Sequence, residues 1–200
     1  RGRAIVHTMP GSATVAWTVV VRTCAIDRLI AEALRDGVDT VINLGAGMDT
    51  RPYRMDLPSH IRWIEIDFPA IIESKSAHLQ EHTANCSVER AGLNLSDARS
   101  RRELFARFGA ASQRALLIAE GLIPYFSAAD IASLVNDISA IPSFCRWILD
   151  FDSAGVRKTP RSWSGKLKAA PFLFEVKDWF HFFDQLGWRQ SLIVLGAIVA

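Results

Sequence analysis

The stretch Asp39-Thr40-Val41-Ile42-Asn43-Leu44, running straight into Gly45-Ala46-Gly47, constrains this chain more than any other feature. A short apolar, β-branched run bounded by turn formers reads as a buried strand. Glycines directly behind a strand let the backbone turn sharply and approach a ligand, because no Cβ stands in the way. A second apolar run, Ile61 to Ile66, overlaps Glu65-Ile66-Asp67, so acids stand where the next strand ends. In an open parallel sheet both features lie at the carboxyl ends of the strands, where such sheets bind ligands.

The remaining pattern fits that sheet. Ile26, Leu29, Ile30, Ala33 and Leu34 recur at helical spacing, with Gly37 behind them as a C-cap. Helices are expected from Pro69 to His82, with proline in the first turn, and from Asp97 to Phe108. Ala115 to Ala119 is the most apolar strand. Ser127-Ala-Ala-Asp130 resembles a capping box, with Asp in place of Glu or Gln, opening a helix through Ile138. A further strand spans Phe144 to Phe151. Strands alternating with helices, apolar on both faces, give an α/β fold: a mostly parallel sheet with helices on both faces. No repeat or linker divides residues 1–200, so a single domain is expected. Beyond Pro171 aromatic residues crowd together, from Phe172 and Phe174 through Trp179, Phe180, Phe182 and Phe183 to Trp188. A helix from about Val176 to Leu186 packing its rings on the sheet is favoured over a pocket wall for a flat substrate.

Composition narrows the partners. Half the residues are hydrophobic and 22% are charged, which excludes a disordered chain. Against 21 acids stand 23 Lys and Arg, a net +2 that makes no case for nucleic acid. The longest apolar runs fall well short of the roughly 20 residues that span a bilayer, so no membrane segment is expected. Cys24, Cys86 and Cys145, odd in number and far apart, suit a reducing, cytoplasmic compartment. His78, His82 and Cys86 sit four apart, but as metal ligands they need a helix running through Thr83-Ala84-Asn85, and no metal is expected. Arg99, Arg101, Arg102 and Arg107 read as the solvated face of a helix. Neither a Gly-x-Ser-x-Gly elbow nor a phosphate-cradling lysine loop occurs.

Gly-x-Gly with an acid at the end of the next strand points to an adenosine-type ligand, since that carboxylate can accept from both ribose hydroxyls. A dinucleotide site requires a third glycine where this chain has Thr50, which disfavours a nicotinamide oxidoreductase. Here the resemblance becomes specific. Asn43-Leu-Gly-Ala-Gly-Met-Asp-Thr-Arg-Pro-Tyr-Arg54, with Trp63-Ile-Glu-Ile-Asp-Phe-Pro69, resembles the leucine carboxyl methyltransferase family. Three more segments match in order: Arg22-Thr-Cys-Ala-Ile-Asp27, Gly92-Leu-Asn-Leu-Ser-Asp97 and Ala119-Glu-Gly-Leu-Ile-Pro-Tyr125. The family uses S-adenosyl-L-methionine and includes the protein phosphatase methyltransferase and bacterial polyketide-type O-methyltransferases of secondary metabolism.

The resemblance implies a Rossmann-like class I methyltransferase. It places Gly45 and Gly47 against the cofactor's methionine and ribose, and Asp67 on the ribose with Glu65 close by. Asn94 and Leu95 fall on the adenine side, and Glu120 meets the ammonium. Arg22 pairs with a carboxylate, the cofactor's or the substrate's, and Tyr125 faces the transfer site. Asn94 departs from the family's usual Asp and equally reads as a simple turn residue. Asp49 and Arg51 read equally as ligand contacts or as each other's partners. No matched motif contains His or Lys, which favours a carboxyl acceptor, ionised at neutral pH, over a phenol needing a base such as His181. The implied activity is O-methylation of a carboxyl or hydroxyl oxygen on a small, polyketide-like acceptor. Its rivals are a protein C-terminal carboxyl methyltransferase, a non-catalytic adenosine-binding domain and the nicotinamide enzyme. Arg1 in place of methionine, with short segments before Arg22 and after Trp188, reads as truncation at one or both ends.

Overall fold

The computed structural model describes residues 12–150, 173, 174, 176 and 178–191. Within it α1 (Ser12–Arg35) precedes β1 (Thr40–Leu44), a single turn of helix α2 (Arg51–Arg54) and β2 (Arg62–Asp67). Then come α3 (Pro69–Leu79), β3 (Ser87–Gly92), α4 (Ala98–Ala110) and β4 (Ala115–Ala119). A 3-10 turn (Ile123–Tyr125), α5 (Ala128–Ser139), β5 (Phe144–Leu149) and α6 (Trp179–Gln185) complete the described chain. The five strands pair in the order β3-β2-β1-β4-β5, every pair parallel. The chain steps outward from β1 through β2 to β3, then returns to the other side of β1 with β4. The order reverses between β1 and β4, and a crevice opens at that point beyond the strands' carboxyl ends.

Alternation along each strand divides the core between two faces. Val41, Trp63, Leu116 and Ile118 are buried on one face against Ile26, Ile30 and Ala33 of α1. Ile42, Leu44, Ile64, Ile66 and Leu117 face the other way, onto Phe105 and Phe108 of α4 and the apolar stripe of α5. The expected α/β sheet with helices on both faces is thus the observed one.

Several boundaries differ, each for a physical reason. α1 begins at Ser12, well before Ile26. Its outer half leaves Trp17, Val19 and Val20 exposed, so no burial stripe marks it in the sequence. β3 was not foreseen, because Ser-Val-Glu-Arg-Ala-Gly is a half-exposed edge strand with charged residues in its middle. α3 stops at Leu79, which leaves His82 and Cys86 off the helix that carries His78. Among the described residues no cluster of His, Cys, Asp and Glu is placed to hold a metal.

The aromatic stretch packs as core. Phe174, Trp179 and Phe183 are buried, with the Phe174 and Trp179 rings edge to face at 4.4 Å. Phe180 is exposed, and Phe172 lies outside the described residues. The helix here is shorter than Val176 to Leu186 because Asp178 caps it, accepting from the His181 N–H at 3.0 Å. Ser127 and Asp130 do form the capping box of α5. Among the described residues no helix is long and apolar enough to cross a membrane.

Candidate functional site

The glycine loop leaves β1 at the switch point and is tied to β2, whose Ile66 carbonyl accepts from the Gly45 and Ala46 N–H groups at 2.8 and 3.1 Å. Gly45 adopts φ +67°, and a Cβ there would stand 2.8 Å from Leu122 Cδ1. Only glycine serves at that position. The Asp67 carboxylate is fixed by backbone donors on both oxygens: Gly47 N–H to Oδ2 and Phe68 N–H to Oδ1, each at 2.7 Å. Asp67 therefore stands beside the loop with both carboxylate oxygens already oriented before any ligand arrives.

Glu65, two residues back on the same strand, is placed differently. It is fully buried, with Oε1 accepting from Lys75 Nζ at 2.7 Å and Oε2 from Arg90 Nε at 2.8 Å. Lys75 is itself fully buried, and Arg90 reaches on to the Tyr53 hydroxyl at 2.5 Å. Both oxygens of Glu65 are committed to cations, and it forms no part of the crevice wall.

A chain of ion pairs lines the crevice. Arg22 of α1 donates from Nε to Glu120 Oε1 at 2.9 Å and from Nη1 to Asp150 Oδ2 at 2.7 Å. The second Glu120 oxygen is held by Arg51 Nη2 at 2.8 Å. Arg51, 2% exposed, also donates to Asp27 Oδ1 at 2.7 Å and Asp49 Oδ2 at 2.8 Å. Arg54 closes on both oxygens of Asp27 at 2.6 and 2.9 Å. So Asp49 and Arg51 are each other's partners. Burial alone would lower the Arg51 guanidinium's proton affinity, but Asp49, Asp27 and Glu120 outweigh it and raise it above the ordinary value. Burial likewise pushes the Asp27 carboxyl up, and hydrogen bonds from Arg54 and Arg51 overcome this and hold it below 3.8. The crevice has a volume of about 360 Å³, and its walls include Arg22, Gly45, Gly47, Met48, Arg51 and Glu120.

The remaining expected site residues lie at the edges. β3 delivers its end to β2 through the Leu93 N–H, which donates to the Asp67 carbonyl at 2.7 Å. Just beyond, Asn94 Oδ1 accepts from the Ser96 N–H at 3.0 Å, an Asx turn ahead of α4. Leu95 is buried, and its carbonyl accepts from Arg101 Nη1 at 2.6 Å. Tyr125 is 39% exposed on the 3-10 turn after β4, five residues past Glu120. The neighbouring Pro124 carbonyl accepts from the Leu173 and Phe174 N–H groups at 2.7 and 3.2 Å, which pins the returning chain beside Tyr125. His181 is exposed on α6, its ring against Gln185. Sequence reasoning assigned no role to Asp27, Arg54 or Asp150. Asp150 falls inside the strand expected over Phe144 to Phe151, and only the end of β5 at Leu149 places it directly after a strand, while Asp27 and Arg54 meet only through the packing of α1 on the loop.

The chain is similar in sequence to known proteins across this architecture. The pattern of the leucine carboxyl methyltransferase family matches residues 6–139. A Frankia alni protein carrying the provisional name of S-adenosyl-L-methionine-dependent methyltransferase is 31% identical over 90% of this chain and 65% of its own length. A Saccharopolyspora erythraea protein provisionally named in the same way is 31% identical over 91% of this chain and 67% of its own length. The chain thus spans about two thirds of these relatives. Among solved structures, an O-methyltransferase family protein from Burkholderia thailandensis superposes with a TM-score of 0.61 over 98% of this chain and 60% of that one, at 15% identity. That likeness confirms the Rossmann-like fold. By the extent of the sequence match, the chain belongs to the leucine carboxyl methyltransferase family.

Proposed function

We propose that this chain binds S-adenosyl-L-methionine in the crevice between β1 and β4 and serves an O-methyltransferase acting on a carboxyl or hydroxyl oxygen of a small acceptor. The observation that carries the reading is Asp67, whose two oxygens are aimed by the Gly47 and Phe68 N–H groups at the strand ends. The side chains present fit the cofactor. A carboxylate suits ribose hydroxyls, Glu120 suits an ammonium, and Arg22 offers a planar fork to a carboxylate. Gly47 leaves room for a ligand against the backbone, while Gly45 lets the loop pack on Leu122. Asn94 and Leu95 close the adenine side, with the Asn94 carbonyl oxygen already engaged in its turn.

When bound, the cofactor supplies an electrophilic methyl group on a charged sulfonium, so the protein need not activate it. The chain's own task is alignment, and positioning of this kind can lower a barrier by roughly 7–11 kcal/mol. In this reading Arg22, Asp67 and Glu120 hold the ligand's ends, and Tyr125 is assigned to the acceptor side. Among the described residues that line the crevice there is no His or Lys to take a proton from the acceptor. This favours an acceptor oxygen that is already ionised, hence a carboxylate.

Titration calorimetry with S-adenosylmethionine, S-adenosylhomocysteine and NAD tests the reading. Both sulfur ligands are expected to bind and NAD is not; tight NAD binding alone would overturn it. Asp67→Ala is expected to weaken S-adenosylhomocysteine by about tenfold or more, the scale of lost hydrogen bonds to a charged group. Transfer of a labelled methyl group to a panel of small carboxylic acids and phenols then separates an enzyme from a binding domain without turnover.

A further inference from the structure

Arg22 is a long, one-third-exposed side chain that must hold a fixed direction to serve as a fork. What fixes it is Asp150, the residue directly after β5. One Asp150 oxygen accepts from Arg22 Nη1 at 2.7 Å. The other accepts from the Gly121 N–H at 2.6 Å, in the turn that directly follows Glu120. Gly121 takes φ +65° there, a conformation that aims its N–H at Asp150. A single carboxylate therefore joins α1, the β4 turn and the end of β5. Arg22 in turn holds Glu120 from the side opposite Arg51. Three of the five guanidinium N–H bonds of Arg22 lie outside its Glu120 and Asp150 contacts. Glu120 keeps lone pairs beyond those its two arginines use.

We propose that Asp150 is the positioning residue for the part of the crevice that takes the amino-acid end of the ligand. It aims Arg22 directly and sets Glu120 through Arg22 and the Gly121 turn. It touches neither the ribose acid nor the adenine side, which are built from β2 and β3. This inference rests on the proposed cofactor reading, and it predicts a division of labour within that site: loss of Asp150 penalises only ligands that carry the carboxylate and the ammonium.

Two probes separate the parts. S-Adenosylhomocysteine has the amino-acid end, whereas 5′-methylthioadenosine keeps the adenine, ribose and sulfur and lacks it. In calorimetry on the full chain, Asp150→Asn is expected to weaken S-adenosylhomocysteine about tenfold and to change 5′-methylthioadenosine less than twofold. The amide keeps one acceptor oxygen and nearly the same shape, so the fold should survive; an unchanged unfolding midpoint without ligand confirms it. Arg22→Ala should give the same pattern, and Asp150→Asn added to Arg22→Ala should cost clearly less than it does alone, because the route through Arg22 is then already lost and only the Gly121 contact remains.

Equal losses for both probes, or no loss for either, would overturn the positioning role. So would a full tenfold penalty for Asp150→Asn in the Arg22→Ala background. If the unmutated chain binds neither probe, the cofactor reading fails and this inference falls with it. If it binds both probes with equal affinity, only the assignment of the amino-acid end fails.

Discussion

Arg51 is nearly removed from solvent, yet three carboxylates from three different segments converge on it: Asp27, Asp49 and Glu120. Such a group is costly to desolvate and is retained by the partners it satisfies. Arg51→Met preserves most of the stem's packing and leaves those acids facing one another. Arg54 still holds Asp27 and Arg22 still holds Glu120, so the loss should sit at the lower end of a broken buried pair, about 3 kcal/mol at neutral pH. The pH dependence has a definite sign. Asp27 is held below 3.8, so its contribution is present above that value and fades as the pH falls through the lower, folded one. Denaturant unfolding of both proteins across pH 7 to 2 should show the gap narrowing only below about 4. A gap constant down to pH 2 would show that the loss is one of packing and not of charge.

Elements that face the core on one clear side announce themselves, and α5 is the best case. Ile131, Leu134, Val135 and Ile138 form its buried stripe, and Ser127 with Asp130 closes its first turn. Removing that cap by Ser127→Ala should cost about 1 kcal/mol. It should leave S-adenosylhomocysteine affinity unchanged, since the box lies outside the crevice; a parallel loss of affinity would show that the cap also sets the Tyr125 turn. The strands β1, β2 and β4 were legible for the same reason, since both their faces are covered and their apolar runs are unbroken. β3 was not, because an edge strand with one solvated side can carry Glu89 and Arg90 without penalty. The site divides along similar lines. Gly45, Gly47 and Asp67 follow from local rules about strand ends. Glu65 shows where such rules stop: its place two residues before Asp67 says nothing of its partners, and only the fold brings Lys75 and Arg90 onto it. Sequence spacing cannot show which of two acids on one strand is paired with buried cations.

At the scale of the molecule the crevice is made by pieces that are distant in the chain. α1 contributes Arg22 to its wall, the turn after β1 the glycine loop and the end of β4 Glu120, while Asp67 of β2 holds the glycine loop and Asp150 after β5 holds Arg22, and these meet only when the sheet order β2-β1-β4-β5 is complete. A ligand spanning them binds the folded state and nothing in the unfolded chain, so it must stabilise the whole domain by mass action. At 100 times its dissociation constant the gain is about 2.7 kcal/mol. For a chain of this size that corresponds to a rise in the unfolding midpoint of roughly 5–10 °C. S-Adenosylhomocysteine should produce that rise in a thermal melt, and NAD at the same concentration should not. Amide exchange should slow with it at the ends of β1, β2 and β4 and at the outer face of α1 near Arg22, while the far side of α4 changes little. Protection confined to the glycine loop would mean that the ligand contacts β1 alone, and that the ion-pair chain from Asp150 to Arg51 belongs to stability and not to binding.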